Sequence, residues 1–346
     1  MSKRYLVSII SDHTLPNFLV AKQLSKQYDQ HILLVSSAMQ RNAELFLKAL
    51  SDDKSCQIIK TGENENDIQK IKQSLQDANL CDKDQYIVNL TGGTKILSLG
   101  VYEYFSKLNQ WFIYVPFGKN EIVDLNNDTI PITHEATLEE YLKLYGMTYQ
   151  CTDEADFIKP EEETLNFFNE LKITKLKTNL HPLVQAAKFH ESTNNSCEIL
   201  MPEERRYYSG QWFEEYMYYH IKNRYNLDDD KIALSVKLFR NEEDVMNDNE
   251  LDIAFVKDNK LHVIECKSGL REPMRKTKDI LDDVLYKCAA ISKDLGLKVN
   301  SYLAVLENIY GNSNTQALES LEKRKSILGI RKIWDKNSFI KDKIEL

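Results

Sequence analysis

The sequence predicts a two-domain α/β protein, on three observations. A first half alternates short β-branched runs with longer helical patterns, and a second half sets an aromatic-rich helix before a β-hairpin. The length, 346 residues, supplies two separate cores at roughly 100–200 residues per domain. These patterns divide the chain into a domain over 1–146, a connector with a helical segment over 147–208, and a second domain over 209–346.

In the first domain, strands are predicted at 5–10, 31–35, 57–60, 85–90 and 111–115. Between them, 15–27, 40–50, 65–79 and 94–108 carry apolar residues at helical spacing. Strand and helix in strict alternation predict a parallel, Rossmann-like sheet flanked by helices. A helical stretch after Thr137 runs to Gly146, and the polar, acidic segment 150–163 reads as a connector marked by Pro160. Helices follow at 161–172 and 182–189, then a polar loop at 190–196. In the second domain a helix at 210–222 carries aromatic residues on more than one face, and 232–239 is a strand. Strands 251–256 and 261–266 flank Lys257-Asp258-Asn259-Lys260, whose residues suit a hairpin turn. Residues 279–295 are helical, 301–306 form a strand, and a charged helix and a short strand close the chain.

A hydrophobic fraction of 42%, a charged fraction of 28%, and only 11 Gly and 7 Pro describe a chain that folds throughout. No basic n-region and h-region precede the first strand, and the longest apolar runs fall far short of a bilayer span, so a soluble, cytoplasmic protein is expected. Six cysteines, Cys56, Cys81, Cys151, Cys197, Cys266 and Cys288, include no Cys-x-x-Cys pair, which points to reduced thiols rather than zinc or disulfides. A net charge of −8 argues against coating nucleic acid by bulk electrostatics. A local basic run, Lys267, Arg271, Arg275, Lys276 and Lys278, leaves room for a phosphate-tracking groove or for a solvated helix face.

The chemistry of the second domain is concentrated in carboxylates. Side chains two apart on a strand share a face, so Glu265 and Lys267 project together while Cys266 points away. Glu265 interrupts the face of Leu261 and Val263, and Asp252 that of Ala254 and Val256; half-buried charges of this kind need a partner or a cation. Side by side across the hairpin, Asp252 and Glu265 offer hard oxygen ligands for Mg²⁺ or Mn²⁺, with Glu214 on the preceding helix as support. Lys267 is positioned to hold a water or to neutralise a phosphate. Taken alone, Glu-x-Lys is an ordinary surface pair. The full set, Gly210-Gln211-Trp212-Phe213-Glu214-Glu215, Asn249-Glu250-Leu251-Asp252 and Val263-Ile264-Glu265-Cys266-Lys267-Ser268-Gly269, resembles the restriction-endonuclease-like superfamily over most of 209–310. In that superfamily a helix glutamate, a strand aspartate and Glu-x-Lys build one metal site. Glu214 or Glu215 is the helix carboxylate, Glu214 fitting the pattern better behind Phe213, and Glu250 is a further candidate.

In the first domain, Thr91-Gly92-Gly93-Thr94-Lys95 joins a strand to a helix, where free N–H groups and the helix dipole favour phosphate. The spacing is not that of a Walker A loop, so ATP hydrolysis is not implied, and a tight turn capped by Thr94 fits as well. Ser11, His13 and Thr14 follow the first strand and Ser36 the second, all past strand carboxyl ends, where open α/β sheets bind ligands. His13 suits stacking on a base, proton transfer or local hydrogen bonding.

Residues 11–17, the stretch Asn89-Leu90-Thr91-Gly92-Gly93-Thr94-Lys95 and the downstream nuclease elements together resemble the cyclic-oligoadenylate-activated nucleases of type III CRISPR systems. The resemblance implies an N-terminal CRISPR-associated Rossmann fold (CARF) domain, a homodimer, cyclic tetra-adenylate as activator, and metal-dependent cleavage of RNA or DNA in antiviral defence. A sensor that regulates transcription by binding DNA without cutting it is the competing reading, which retention of Asp252, Glu265 and Lys267 disfavours. Slow degradation of the activator by the first domain, with His13 or Lys95 contributing, is left open.

Overall fold

A computed structural model describes residues 2–50, 55–62, 66–126, 128–174, 207–240, 249–269, 282–287, 289, 295, 299–310 and 315–346. The chain divides into two compact units, Met1–Met147 and Thr148–Leu346.

In the first unit, β1 (Arg4–Ile9), β2 (Gln30–Val35), β3 (Cys56–Lys60), β4 (Gln85–Asn89) and β5 (Gln110–Tyr114) run parallel, as the alternating pattern predicts. Two short antiparallel strands that the sequence reading did not contain, β6 (Glu121–Asp124) and β7 (Thr129–Pro131), extend one edge, giving the order β3-β2-β1-β4-β5-β6-β7. Alternate residues of each strand feed two cores. Leu6 of β1 and Leu33 of β2 meet α1 (Leu15–Gln23) and α2 (Gln40–Leu50) through Phe18 and Phe46. Val7, Ile9, Ile32 and Leu34 meet α3 (Ile68–Asp77) and α4 (Lys95–Phe105) through Ile71, Leu97 and Phe105 on the other face. Burial on both faces explains why β1 and β2 read as nearly continuous apolar runs. The chain winds outward through β2 and β3, then returns past β1 to β4. The carboxyl ends of β1 and β4 therefore form the topological switch point, where such sheets bind ligands. A helix α5 (Leu138–Leu144), begun by a Thr137–Glu140 capping box, closes the unit.

The second unit is built on a six-stranded mixed sheet, β13-β12-β11-β10-β9-β8. Within the segment expected as connector and helix, Thr148–Thr152 is β8 and pairs antiparallel with β9 (Ile232–Phe239). At five residues, this edge strand is too short for the alternation of Tyr149 and Cys151 to stand out. Helix α6 (Glu161–Thr174) follows, and its Phe168 stacks on Tyr216 of α7 (Trp212–Tyr225) with ring centroids 3.6 Å apart. Residues 161–171 thus pack into the core of this unit. The helix and loop expected at 182–196 lie outside the described residues, as do Arg271, Arg275, Lys276 and Lys278 of the basic run, Cys197 and Cys288.

Strands β10 (Asn249–Lys257) and β11 (Lys260–Lys267) form the predicted hairpin. Asp258 and Asn259 have φ of 53° and 56°, the two positive dihedrals of a type I′ turn, which residues of this kind tolerate best. Parallel strands β12 (Val299–Val305) and β13 (Ile330–Trp334) complete the sheet. Ile253, Ile264, Cys266 and Tyr302 face α7 across one core. Leu303, Val305 and Ile333 face helical residues 282–287 and α8 (Thr315–Ile327) across the other, through Val284, Leu285 and Leu321. Among the described residues no helix is long and apolar enough to cross a membrane.

Candidate functional site

The hairpin register determines what the second unit can do. Pairing runs Ile253–Ile264, Ala254–Val263 and onward to the turn, so one further step sets Asp252 opposite Glu265. Asp252 Oδ2 accepts a 2.7 Å hydrogen bond from the Cys266 N–H. Because Cys266 packs into the α7 core, Glu265 and Lys267 project together from the opposite face, as strand alternation predicts. Lys267 Nζ lies 2.7 Å from Glu265 Oε1 and 3.6 Å from Asp252 Oδ2. Glu265 is 2% exposed, and a carboxylate so buried requires cations around it.

Of the two adjacent glutamates on α7, Glu215 turns away: its Oε1 accepts hydrogen bonds of 3.1 Å from Ile158 N and from Gln211 Nε2. Glu214 is the one that feels the charge of the hairpin carboxylates. Burial pushes its pKa up to about 8, Asp252, Glu265 and Glu250 push the same way, and Lys267 opposes them. Burial and Glu265 likewise raise the pKa of Asp252 against Lys267, the Cys266 N–H and Lys287. For Lys267, burial works against the charge, but Asp252 and Glu265 outweigh it and raise the pKa. The start of α7 is brought to this end of the sheet at Gly210, where an added Cβ would stand 3.7 Å from Ser268 Oγ.

Sequence reasoning missed two features of this centre. Lys287, on helical residues 282–287, places Nζ 3.0 and 3.1 Å from the two oxygens of Glu265. No spacing rule links it to a strand twenty residues earlier. Ser235 of β9 stands opposite Asp252, between the pairs Leu251–Val236 and Ile253–Leu234, with φ of 52°. The register of β8 against β9 shifts at the same place, so a bulge bends the sheet beside the carboxylates.

The donor set suits a hard divalent cation. It is all carboxylate oxygen, and the mutual repulsion that raises Glu214 and Asp252 is what such a cation relieves. Among the described residues no three His, Cys, Asp or Glu side chains already stand as a metal cage.

In the first unit, the switch point is organised by buried amides. Asn17 Nδ2 donates to Ile9 O at 2.8 Å, and Asn89 Nδ2 donates to Asn17 Oδ1 at 2.8 Å. Thr91 N donates to Asn89 Oδ1 at 3.1 Å, and Thr91 Oγ1 accepts from Val115 N at 2.9 Å. This chain ties the ends of β1, β4 and β5 to one loop. Gly92 and Gly93 press that loop on Ile9, Gly93 with φ of 78°. Thr94 caps α4 by accepting from Leu97 N at 3.2 Å, so the tight-turn reading of 91–95 describes the loop itself. Lys95 is exposed on the first turn of α4.

Ser11 Oγ donates to His13 O at 3.4 Å, and Asn42 Nδ2 donates to Ser11 O at 3.4 Å. Thr14 and Ser36 are buried, and their hydroxyl oxygens have no hydrogen-bond partner among the described residues; Thr61, just past β3 and not anticipated from sequence, is a third. Three such hydroxyls at the carboxyl ends of β1, β2 and β3 suit a polar ligand.

Similar solved structures include protein VC1899 from Vibrio cholerae, with a TM-score of 0.74 at 19% identity over 98% of this chain and 95% of that one. Can2 from Sulfobacillus thermosulfidooxidans, in complex with cyclic tetra-adenylate, matches with 0.70 at 21% identity over 98% and 97%. A type III CRISPR defence DNA nuclease activated by cyclic oligoadenylate matches with 0.56 at 16% identity over 94% of this chain and 52% of its own. At these identities the likeness is one of fold. No curated protein sequence matches the chain. Residues 5–141 match the family model of the Card1 CARF domain, and residues 201–343 match that of the Card1-like endonuclease domain. The chain therefore carries an N-terminal CARF domain and a C-terminal endonuclease domain.

Proposed function

We propose that the protein is a metal-dependent nuclease of type III CRISPR defence, switched on when cyclic tetra-adenylate binds its CARF domain, and that it cleaves phosphodiesters of RNA or DNA. The observation that carries this is the buried Asp252–Glu265–Lys267 cluster, whose charge Glu214 feels, in the endonuclease domain. Mn²⁺ or Mg²⁺ would be held by Asp252 and Glu265 with Glu214 in support, and supplies a polarised phosphoryl oxygen and a more acidic water. Lys267 keeps a full positive charge beside both carboxylates, which suits it to orient the water or to neutralise charge developing on the phosphate. The Cys266 N–H fixes the rotamer of Asp252, so this ligand is preorganised on a strand.

The activator reading rests on the first unit. The loop 91–95, the unpartnered hydroxyls of Thr14 and Ser36, and Ser11 and His13 beside them line one end of the sheet. Can2, a relative in fold, binds cyclic tetra-adenylate. A cyclic tetranucleotide presents equivalent faces about a twofold axis, which argues for a homodimer with one ligand between two copies of this end. The start of α4 supports that arrangement: Ile96, Leu99 and Tyr102, at helical spacing directly after Lys95, are 36%, 56% and 42% exposed. The test is incubation with labelled single-stranded RNA, single-stranded DNA and duplex DNA, with and without cyclic tetra-adenylate and Mn²⁺. Cleavage that needs both additions supports the reading; cleavage in neither nucleic acid, with DNA bound intact, replaces it with the regulator.

A further inference from the structure

The two strand carboxylates are not equally neutralised. Asp252 receives a backbone N–H and, at 3.6 Å, Lys267. Glu265 receives Lys267 at 2.7 Å on Oε1 and Lys287 at 3.0 and 3.1 Å across both oxygens. Both oxygens of the most buried carboxylate in the centre are thus engaged by ammonium groups. The two lysines differ in how they are held. Lys267 is anchored in β11 two residues from Glu265, and its pKa reflects two carboxylate partners. Lys287 comes from a helix on the other side, its side chain is 41% exposed, and its flexible stem lets the ammonium leave Glu265 while the strand stays in place.

An exposed lysine on an exposed glutamate is worth little, but here the partner is 2% exposed, so the contact is not an ordinary surface pair. A divalent cation on Glu265 can leave Lys267 on Oε1, but it cannot approach while the Lys287 ammonium spans both oxygens without strong repulsion. We infer that Lys287 is a built-in competitor for the metal: it holds Glu265 through both oxygens and thereby sets the metal affinity of the centre. The inference rests on the metal-dependent reading above. It makes Lys287 a positioning residue, acting through Glu265. It also has a second consequence, because an ammonium displaced from Glu265 needs a new anion, and a nucleic-acid phosphate at the centre provides one. Metal and nucleic acid should then strengthen each other's binding, reciprocally.

Calorimetric titration of Mn²⁺ into the full chain, with cyclic tetra-adenylate present throughout, tests this in wild type, Lys287→Met, Lys287→Arg and Asp252→Asn. Each is titrated alone and with a phosphorothioate oligonucleotide that resists cleavage. Lys287→Met is expected to bind Mn²⁺ about tenfold more tightly than wild type without oligonucleotide, the order of one ion pair that no longer has to be broken. Lys287→Arg should stay near wild type, and the oligonucleotide should tighten Mn²⁺ binding more in wild type than in Lys287→Met. Equal or weaker Mn²⁺ binding by a Lys287→Met protein with an unchanged melting temperature overturns the inference. Asp252→Asn separates the two levels: if it binds Mn²⁺ as wild type does, the metal site itself is misplaced, whereas if it loses Mn²⁺ while Lys287→Met is unchanged, only the role of Lys287 fails.

Discussion

Replacing Gly92 by alanine adds one methyl group at the most confined backbone position of the first unit. A Cβ there would lie 2.0 Å from the carbonyl oxygen of Ile9 and 3.0 Å from its carbonyl carbon, where ordinary contact begins at 3.4 Å. Neither atom belongs to a side chain that can rotate away. Ile9 O also accepts the 2.8 Å hydrogen bond from Asn17 Nδ2, so moving it breaks the first link of the chain from Asn17 through Asn89 to Thr91. Overpacking costs about 1–3 kcal/mol and a lost buried hydrogen bond about 1 kcal/mol, so the variant should lose about 2–4 kcal/mol. For a unit of this size that lowers its melting temperature by roughly 5–15 °C. The measurements are differential scanning calorimetry, read as two transitions, and calorimetric binding of cyclic tetra-adenylate. Only the transition of the first unit should move, and activator affinity should fall with it, because the displaced loop carries Thr91 to Lys95. Gly210→Ala is the control, since its nearest contact would be 3.7 Å away. A Gly92→Ala protein with wild-type melting and wild-type activator binding would refute the claim that this loop is held by its approach to Ile9.

Three further outcomes are expected. Asp252→Asn and Lys267→Ala should each lower cleavage by ~10²–10³ while leaving activator binding intact, as removal of one preorganised electrostatic group at a phosphoryl centre does; single-turnover assays in Mn²⁺ and in EDTA read both this and the metal requirement. Lys95→Glu places a negative charge at the exposed start of α4 and should weaken cyclic tetra-adenylate on the order of tenfold or more, and normal activation of this variant would remove the loop from the ligand site. Burial lowers the His262 pKa to about 4 from 6.5, so the folded state binds fewer protons than the unfolded chain between these values. The second unit should keep this stability above pH 6.5 and lose up to about 3 kcal/mol as pH falls toward 4; in His262→Leu that slope should flatten, as denaturant titrations at a series of pH values would report.

What was legible in the sequence follows the period of the apolar pattern. Strands β1, β2, β4 and β5 are buried on both faces and bounded by helical patterns, and each was located to within a residue or two at its ends. The elements that were missed are short: β7 is three residues long, and β8 is a five-residue edge strand whose pairing with β9 supplies what its own length does not. Gly92 and Gly93 mark a close backbone approach, and the atoms approached are those of Ile9, a residue of the same sheet. The glycines therefore report how the loop is built, while the hydroxyls of Thr14, Ser36 and Thr61 are buried with no hydrogen-bond partner among the described residues.

The candidate centre was legible for a different reason. Glu265 and Lys267 are related by strand period, and Asp252 is related to Glu265 by a short hairpin whose turn residues set the register, so a local rule connects each to the next. Glu214 was harder, because the helix period alone cannot say which of two neighbouring glutamates faces the hairpin. The structure separates them by their partners: Glu215 is consumed in holding Ile158 and Gln211, whereas Glu214 feels the charge of Asp252. Lys287 was illegible altogether, since its relation to Glu265 passes through the packing of Val284 and Leu285 against Leu303 and Val305, and no local period encodes that. The residues that make a carboxylate site recognisable are thus those tied together by secondary structure, while the residue that sets how readily a cation enters is contributed by tertiary packing. Position 287 is therefore where a substitution is expected to change metal affinity while the Asp and Glu-x-Lys elements stay in place.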